Sequence, residues 1–163
     1  MEVYTGGSVM KKSFTILLIG ILSVSLFSCK QKDPLADYSL YEFEGLKIYV
    51  PKDIKLEETT VEQFKKAWAV DDFIVFADNT EKSQVEALEL SEEEFTNLVF
   101  GENPKTDLKN CSYTTYTNAG FFYTYALFEG ESLYYDLNLA CREEDAEKYK
   151  DIMLDILDKT TVE

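Results

Sequence analysis

The chain contains no histidine. That absence removes His-ligated metal centres, Ser-His and Cys-His nucleophile pairs, and any imidazole switch near neutral pH. Positive charge is scarce too: 16 Lys+Arg stand against 31 Asp+Glu, a formal net charge of −15. Tracking nucleic-acid phosphates needs clustered cations, so no nucleic-acid partner is expected. Proline is rare, at three residues, and no Pro/Gly-rich boundary divides the chain. What is present is a hydrophobic share of 45% and an aromatic share of 14% over 163 residues. Such a chain can bury one core and is unlike a disordered acidic segment.

The first thirty residues state an address. Met10-Lys11-Lys12-Ser13 precede an uncharged run from Phe14 to Phe27, followed by Ser28-Cys29. This is a positive n-region, an apolar h-region and a small residue before a cleavage point, the pattern of a secretory signal peptide. The 14-residue apolar run is short of the roughly 20 residues that span a bilayer. Residues 1–9 precede the natural n-region and carry the acidic Glu2; Thr5-Gly6-Gly7 can be encoded by a ribosome-binding consensus, so translation is expected to start at Met10. Leu26-Phe27-Ser28-Cys29 resembles a bacterial lipoprotein lipobox, although Phe27 departs from the small or branched residue usual at its place. The resemblance implies cleavage between Ser28 and Cys29, lipid on the Cys29 thiol, and a domain held at a membrane of the cell envelope. Each buried methylene of such an anchor contributes about 0.8 kcal/mol. Residues 29–40, polar and Pro-containing, read as a tether.

Residues 41–163 read as one α+β domain. Tyr41–Phe43 and Leu46–Val50 alternate around Gly45 as strands, and Pro51 ends the second. Residues 61–66 are ambiguous between a short helix and a strand approach. Ala67–Val70 and Phe73–Ala77 flank Asp71-Asp72 as a hairpin. Asn79–Gln84 reads as a polar loop, and Val85–Leu90 as a short strand or a helix entry. Ser91-Glu92-Glu93-Glu94 is a capping box, and Gly101-Glu102-Asn103-Pro104 stops the helix it opens. Cys111 to Cys141 reads as a three-strand meander with turns at Asn118–Gly120 and Glu129–Glu131. Ala146, Tyr149, Ile152, Met153, Ile156 and Leu157 then recur at helical spacing. Strands, hairpin, helix, meander and final helix make an antiparallel sheet with helices packed on it. This order, with Gly45-Leu46-Lys47-Ile48-Tyr49-Val50-Pro51 near its front, resembles the PsbP-like α/β/α sandwich family, whose members include photosystem II extrinsic subunits and many bacterial lipoproteins. The resemblance implies binding or assembly without catalysis. It transfers no functional residue.

Candidate chemistry is sparse. A Cys111–Cys141 disulfide would persist outside the membrane. Yet the expected turns place Cys111 opposite about Leu127 and Cys141 opposite about Ala119, roughly 26 Å apart along the strand at about 3.3 Å per residue. Buried thiols are therefore the default. Asp71-Asp72, Glu92–Glu94 and Glu143–Asp145 lack EF-hand spacing, and no cofactor or metal is expected. The richer clue is aromatic: Tyr113, Tyr116, Tyr123, Tyr125, Tyr134 and Tyr135 crowd the meander. They are either core or a surface for an envelope protein or glycan, and Trp68 belongs to one or the other. The leading expectation is a non-enzymatic, lipid-anchored extracytoplasmic binding or assembly domain. Its rivals are a small-ligand or glycan capture module and a carboxylate-dependent hydrolase.

Overall fold

The structure, a computed structural model, describes residues 33–163. Ser28 and Cys29, and with them the expected signal peptide and lipid anchor, lie outside the described residues. The chain divides into two units, Met1–Ala36 and Asp37–Glu163, and the second contains every element below. No helix among the described residues is long and apolar enough to cross a membrane.

Alternation and tight turns build the strands. β1 (Tyr38–Phe43) and β2 (Leu46–Pro51) pair antiparallel with Phe43 opposite Leu46. Only Glu44 and Gly45 remain for the turn, at φ 47° and 98°. Two left-handed residues match the twist of a two-residue hairpin, which is why a glycine stands there. β1 starts three residues before the expected boundary at Tyr41. β10 (Thr161–Val162) joins the far side of β2, completing a sheet in the order β1-β2-β10.

The larger sheet is antiparallel throughout, with the order β3-β4-β5-β9-β8-β7-β6. Its strands are β3 (Glu57–Thr59), β4 (Lys66–Val70), β5 (Phe73–Glu81), β6 (Thr106–Asp107), β7 (Cys111–Asn118), β8 (Phe121–Glu129) and β9 (Leu133–Arg142). Helices α1 (Lys82–Glu86) and α2 (Glu92–Phe100) follow β5; α3 (Ala146–Lys159) follows β9 after a 3-10 turn. Residues 62–65 are turns and bends leading into β4. The expected loop at Asn79–Gln84 is instead the end of β5 and the start of α1. Pairing of Asn79, Thr80 and Glu81 with β9 carries those polar residues in strand conformation, a tertiary gain that local propensity does not register. The capping box forms as read: Ser91 Oγ accepts from the Glu94 amide at 3.2 Å, and Glu94 accepts from the Ser91 amide at 2.8 Å.

The two faces of the large sheet differ. The inner face carries Trp68, Phe73, Val75, Leu137, Leu139, Cys141, Ala126 and Phe128; it packs against Leu46, Ile48 and Val50 of β2 and Met153, Ile156 and Leu157 of α3. Phe73 stacks on Tyr149 at 4.8 Å, and Thr124 Oγ1 donates to Met153 Sδ at 3.2 Å. The outer face is covered by α2 through Phe95 on Tyr134 and Phe100 on Tyr125.

The considered staple is not made, for Cys111 and Cys141 are both free and buried. Cys111 sits opposite Phe128 and Cys141 opposite Phe122, roughly 20 Å apart along β8 at about 3.3 Å per residue. Disulfide Cα atoms must lie within about 7 Å. The last turn spans Gly130–Leu133 rather than Glu129–Glu131, which moves the partner of Cys141 from Ala119 to Phe122. Burial pushes the Cys111 thiol up to about 12, with Asp107 and Asp158 adding to it.

Candidate functional site

The six tyrosines and Trp68 do not form one surface. Strand alternation sends them to opposite faces. Trp68, only 5% exposed, pairs with Val75 on the inner face and meets the ring of Tyr41 edge-on at 5.8 Å. Tyr135, 4% exposed, also points inward; its hydroxyl donates to the Glu44 carbonyl at 2.8 Å and ties the large sheet to the β1–β2 turn. Both therefore leave the expected interaction surface: they hold the core together. Tyr116 and Tyr134 do lie on the outer face, but at opposite ends. Tyr134 opposes Glu129, whereas Tyr116 opposes Tyr123, which opposes Ala140.

Helix α2 divides that face into two clefts. The first, about 780 Å³, is lined by Phe95, Phe100, Leu127, Tyr134 and the polar segment around Lys105–Ser112. Its charges are mixed: Lys105 lies 3.2 Å from Asp107, and Ser112 Oγ donates to the same carboxylate at 2.6 Å. The Ser112 bond, then Lys105, holds Asp107 below its ordinary value.

The second cleft, about 580 Å³, lies between the C-terminal half of α2 and the outer face. Register builds its floor. Thr114, Tyr125, Asn138 and Phe76 are successive partners across β7, β8, β9 and β5, one row perpendicular to the strands. Phe64 stacks on Phe76 at 4.6 Å to wall one end. Tyr116 stacks on Tyr123 at 5.0 Å to wall another side, and Phe100 meets Tyr125 edge-on. Thr114 is 2% exposed, and its hydroxyl has no hydrogen-bond partner among the described residues. Asn138 is 9% exposed and lines the same cleft. Sequence reading found Tyr116 but not Phe64, Thr114 or Asn138, because only register sets them side by side.

One row away, Asp78 and Asp136 oppose each other across β5 and β9. Tyr125 donates its hydroxyl to Asp136, and Lys65 lies 3.3 Å from Asp78 while donating to Asn79 at 2.7 Å. Burial, reinforced by Asp78, raises the Asp136 carboxyl above its ordinary range; the Tyr125 bond and Lys65 oppose that rise. Burial beside Asp136 raises the Tyr125 phenol as well. The folded chain therefore keeps the Asp136 proton at a pH where the unfolded chain has lost it. Stability falls as pH rises from the ordinary carboxylate range through the folded value. Asp136→Asn should flatten that slope and raise the urea midpoint above pH 6, leaving it little changed near pH 3; melts across pH 3–8 read this directly. Among the described residues, no group of three or more His, Cys, Asp or Glu could hold a metal ion.

The chain matches no protein-family profile and no curated protein sequence. It is similar in structure to the cyanobacterial PsbP protein (CyanoP) of Synechocystis, with a TM-score of 0.50 and 11% identity, covering 85% of this chain and 99% of that one. It is also similar to LpqN of Mycobacterium tuberculosis, described as involved in cell envelope biogenesis, with a TM-score of 0.41 and 17% identity over 81% of this chain and 87% of that one. The α+β fold expected from the element order is thus the PsbP-like one.

Proposed function

We propose that this chain is a lipid-anchored extracytoplasmic protein whose PsbP-like domain works by binding rather than by catalysis. The observation that carries the binding reading is the second outer-face cleft: aromatic walls, a polar floor and, among the described residues, an unpartnered buried hydroxyl and no charged lining side chain. Pockets of this size with a few convergent polar groups are typical ligand sites. The anchor rests on the signal pattern ending at Ser28-Cys29.

The test of the anchor is metabolic labelling with palmitate in a bacterial host, combined with fractionation. The wild-type chain should take up label, sediment with membranes and begin at Cys29 by mass spectrometry. Cys29→Ala should lose the label and the processed amino terminus. An unlabelled wild-type chain that starts at Met10 and stays soluble would overturn the proposal.

A carboxylate-dependent hydrolase is the second reading, favoured by the Asp78–Asp136 pair. It ranks second because Tyr125 and Lys65 already engage the two carboxylates. Neither carboxylate lines the two outer-face clefts.

A further inference from the structure

Resting on the binding reading above, we infer that the cleft floored by Thr114, Tyr125 and Asn138 takes an uncharged saccharide. Three observations converge on that ligand chemistry. The first is charge. The chain carries a formal −15, yet among the described residues none that lines this cleft is charged. An anionic ligand would meet a repulsive field with no cation in the cleft to hold it. A cationic ligand would find no carboxylate there to pair with, since Asp136 is held by Tyr125 one row away. A neutral ligand suffers neither cost.

The second observation is the kind of surface. Phe64, Phe100, Tyr116 and Tyr125 all line the cleft. Phe64 and Tyr116 are each backed by a stacked ring, Phe76 and Tyr123 respectively. Rings fixed in this way offer apolar area at little entropic cost on binding. A pyranose presents an apolar C–H face that suits such a ring, with hydroxyls around its rim.

The third is the unmet hydrogen bonding. The Thr114 hydroxyl is buried without a partner among the described residues, and such a group costs stability unless something fills it. The Asn138 carboxamide, nine-tenths buried, lines the same cleft. Thr114 and Asn138 stand two strands apart in one row, about 10 Å at the usual strand spacing. The hydroxyls of one or two linked pyranose rings can reach both. Both groups donate and accept, which suits hydroxyls that do the same. A purely apolar occupant would leave the Thr114 hydroxyl unsatisfied.

The test uses the full chain in a detergent without a sugar headgroup. Saturation-transfer NMR and calorimetry are run with N,N′-diacetylchitobiose, cellobiose and maltose as neutral probes. Chitobiose serves as the cationic probe and digalacturonic acid as the anionic one. At least one neutral disaccharide should bind saturably, with transfer strongest to its ring C–H protons, and more tightly than either charged probe. Thr114→Val keeps the shape and removes the hydroxyl; it should fold as stably as wild type and bind about tenfold more weakly, the loss of one well-made hydrogen bond. Tyr116→Ala, which removes a wall and leaves the floor intact, should also weaken binding. The inference is overturned if no neutral probe binds, if a charged probe binds best, or if Thr114→Val and Tyr116→Ala both bind as wild type. Failure on those terms leaves the palmitate result, and with it the anchored-protein reading, untouched. Cleavage of a probe that is lost in Asp136→Asn would overturn the non-catalytic reading as well.

Discussion

Replacing Phe128 by Ala is expected to destabilise the domain by about 3–5 kcal/mol. The ring is completely buried on the inner face of the large sheet. It opposes Cys111 on one neighbouring strand and Tyr135 on the other, and belongs to the core formed with β2 and α3. Truncation removes its transfer free energy and leaves a cavity that strands fixed on both sides cannot close. Domains of this size are stable by about 5–15 kcal/mol, so the variant should lie near its unfolding threshold. Trp68 is the single tryptophan and is buried in the same core, so its emission reports the urea transition. The midpoint should fall steeply with little change in slope. Leu98→Ala is the control: that side chain is 64% exposed on α2, and its loss should change stability by at most about 0.5 kcal/mol. Equal effects from the two substitutions would refute the assignment of the core to this face.

The second large effect is expected at Asn110, a polar residue in the loop before β7. Its Nδ2 donates to the Leu157 carbonyl at 3.0 Å and to the Thr160 carbonyl. Helix α3 ends without a glycine cap, its C-cap being Thr160 in extended conformation. Thr160 Oγ1 satisfies the Ile156 carbonyl at 2.7 Å, and Asn110 serves the carbonyls beyond it. Asn110→Ala leaves them without that donor, at a cost of about 1–3 kcal/mol. Asn110→Asp should be worse at neutral pH. A carboxylate cannot donate, and it would face the negative end of the helix dipole. The fold would raise the pKa of that new carboxyl, because only the protonated form can donate. The added stability is present below its unfolded pKa and is lost as pH rises through the folded value. The Asp variant should therefore approach wild type in acid and fall below the Ala variant at pH 7, as read by urea melts at pH 3.5 and pH 7. An Asp variant that stays above the Ala variant at pH 7 would contradict the donor role of Asn110.

The elements whose signals are local were legible in the chain itself. Ser91 to Glu94 spell a capping box that is formed atom for atom. The spacing of Tyr149, Met153, Ile156 and Leu157 names the buried side of α3. Asn118-Ala119-Gly120 marks a turn in which Ala119 and Gly120 take φ 50° and 80°. Short strands escaped notice: β3, β6 and β10 have three, two and two residues, too few to show alternation.

By itself, then, the sequence determined the α+β class, the order of the long elements and the strongly acidic charge. Each of these follows from composition or from periods of a few residues. Tertiary structure alone decided which aromatic side chains are core and which line a cleft. Trp68 and Tyr135 turn inward while Tyr116 and Tyr134 turn outward, although they are the same kinds of residue in similar surroundings. The physical reason is the period of two in a strand: facing depends on register, and moving a pairing by one residue reverses every side chain. That register is set by where turns close and by burial against β2 and α3, contacts between residues up to about a hundred positions apart along the chain. The row of Thr114, Tyr125 and Asn138 exists only because three separate strands align there.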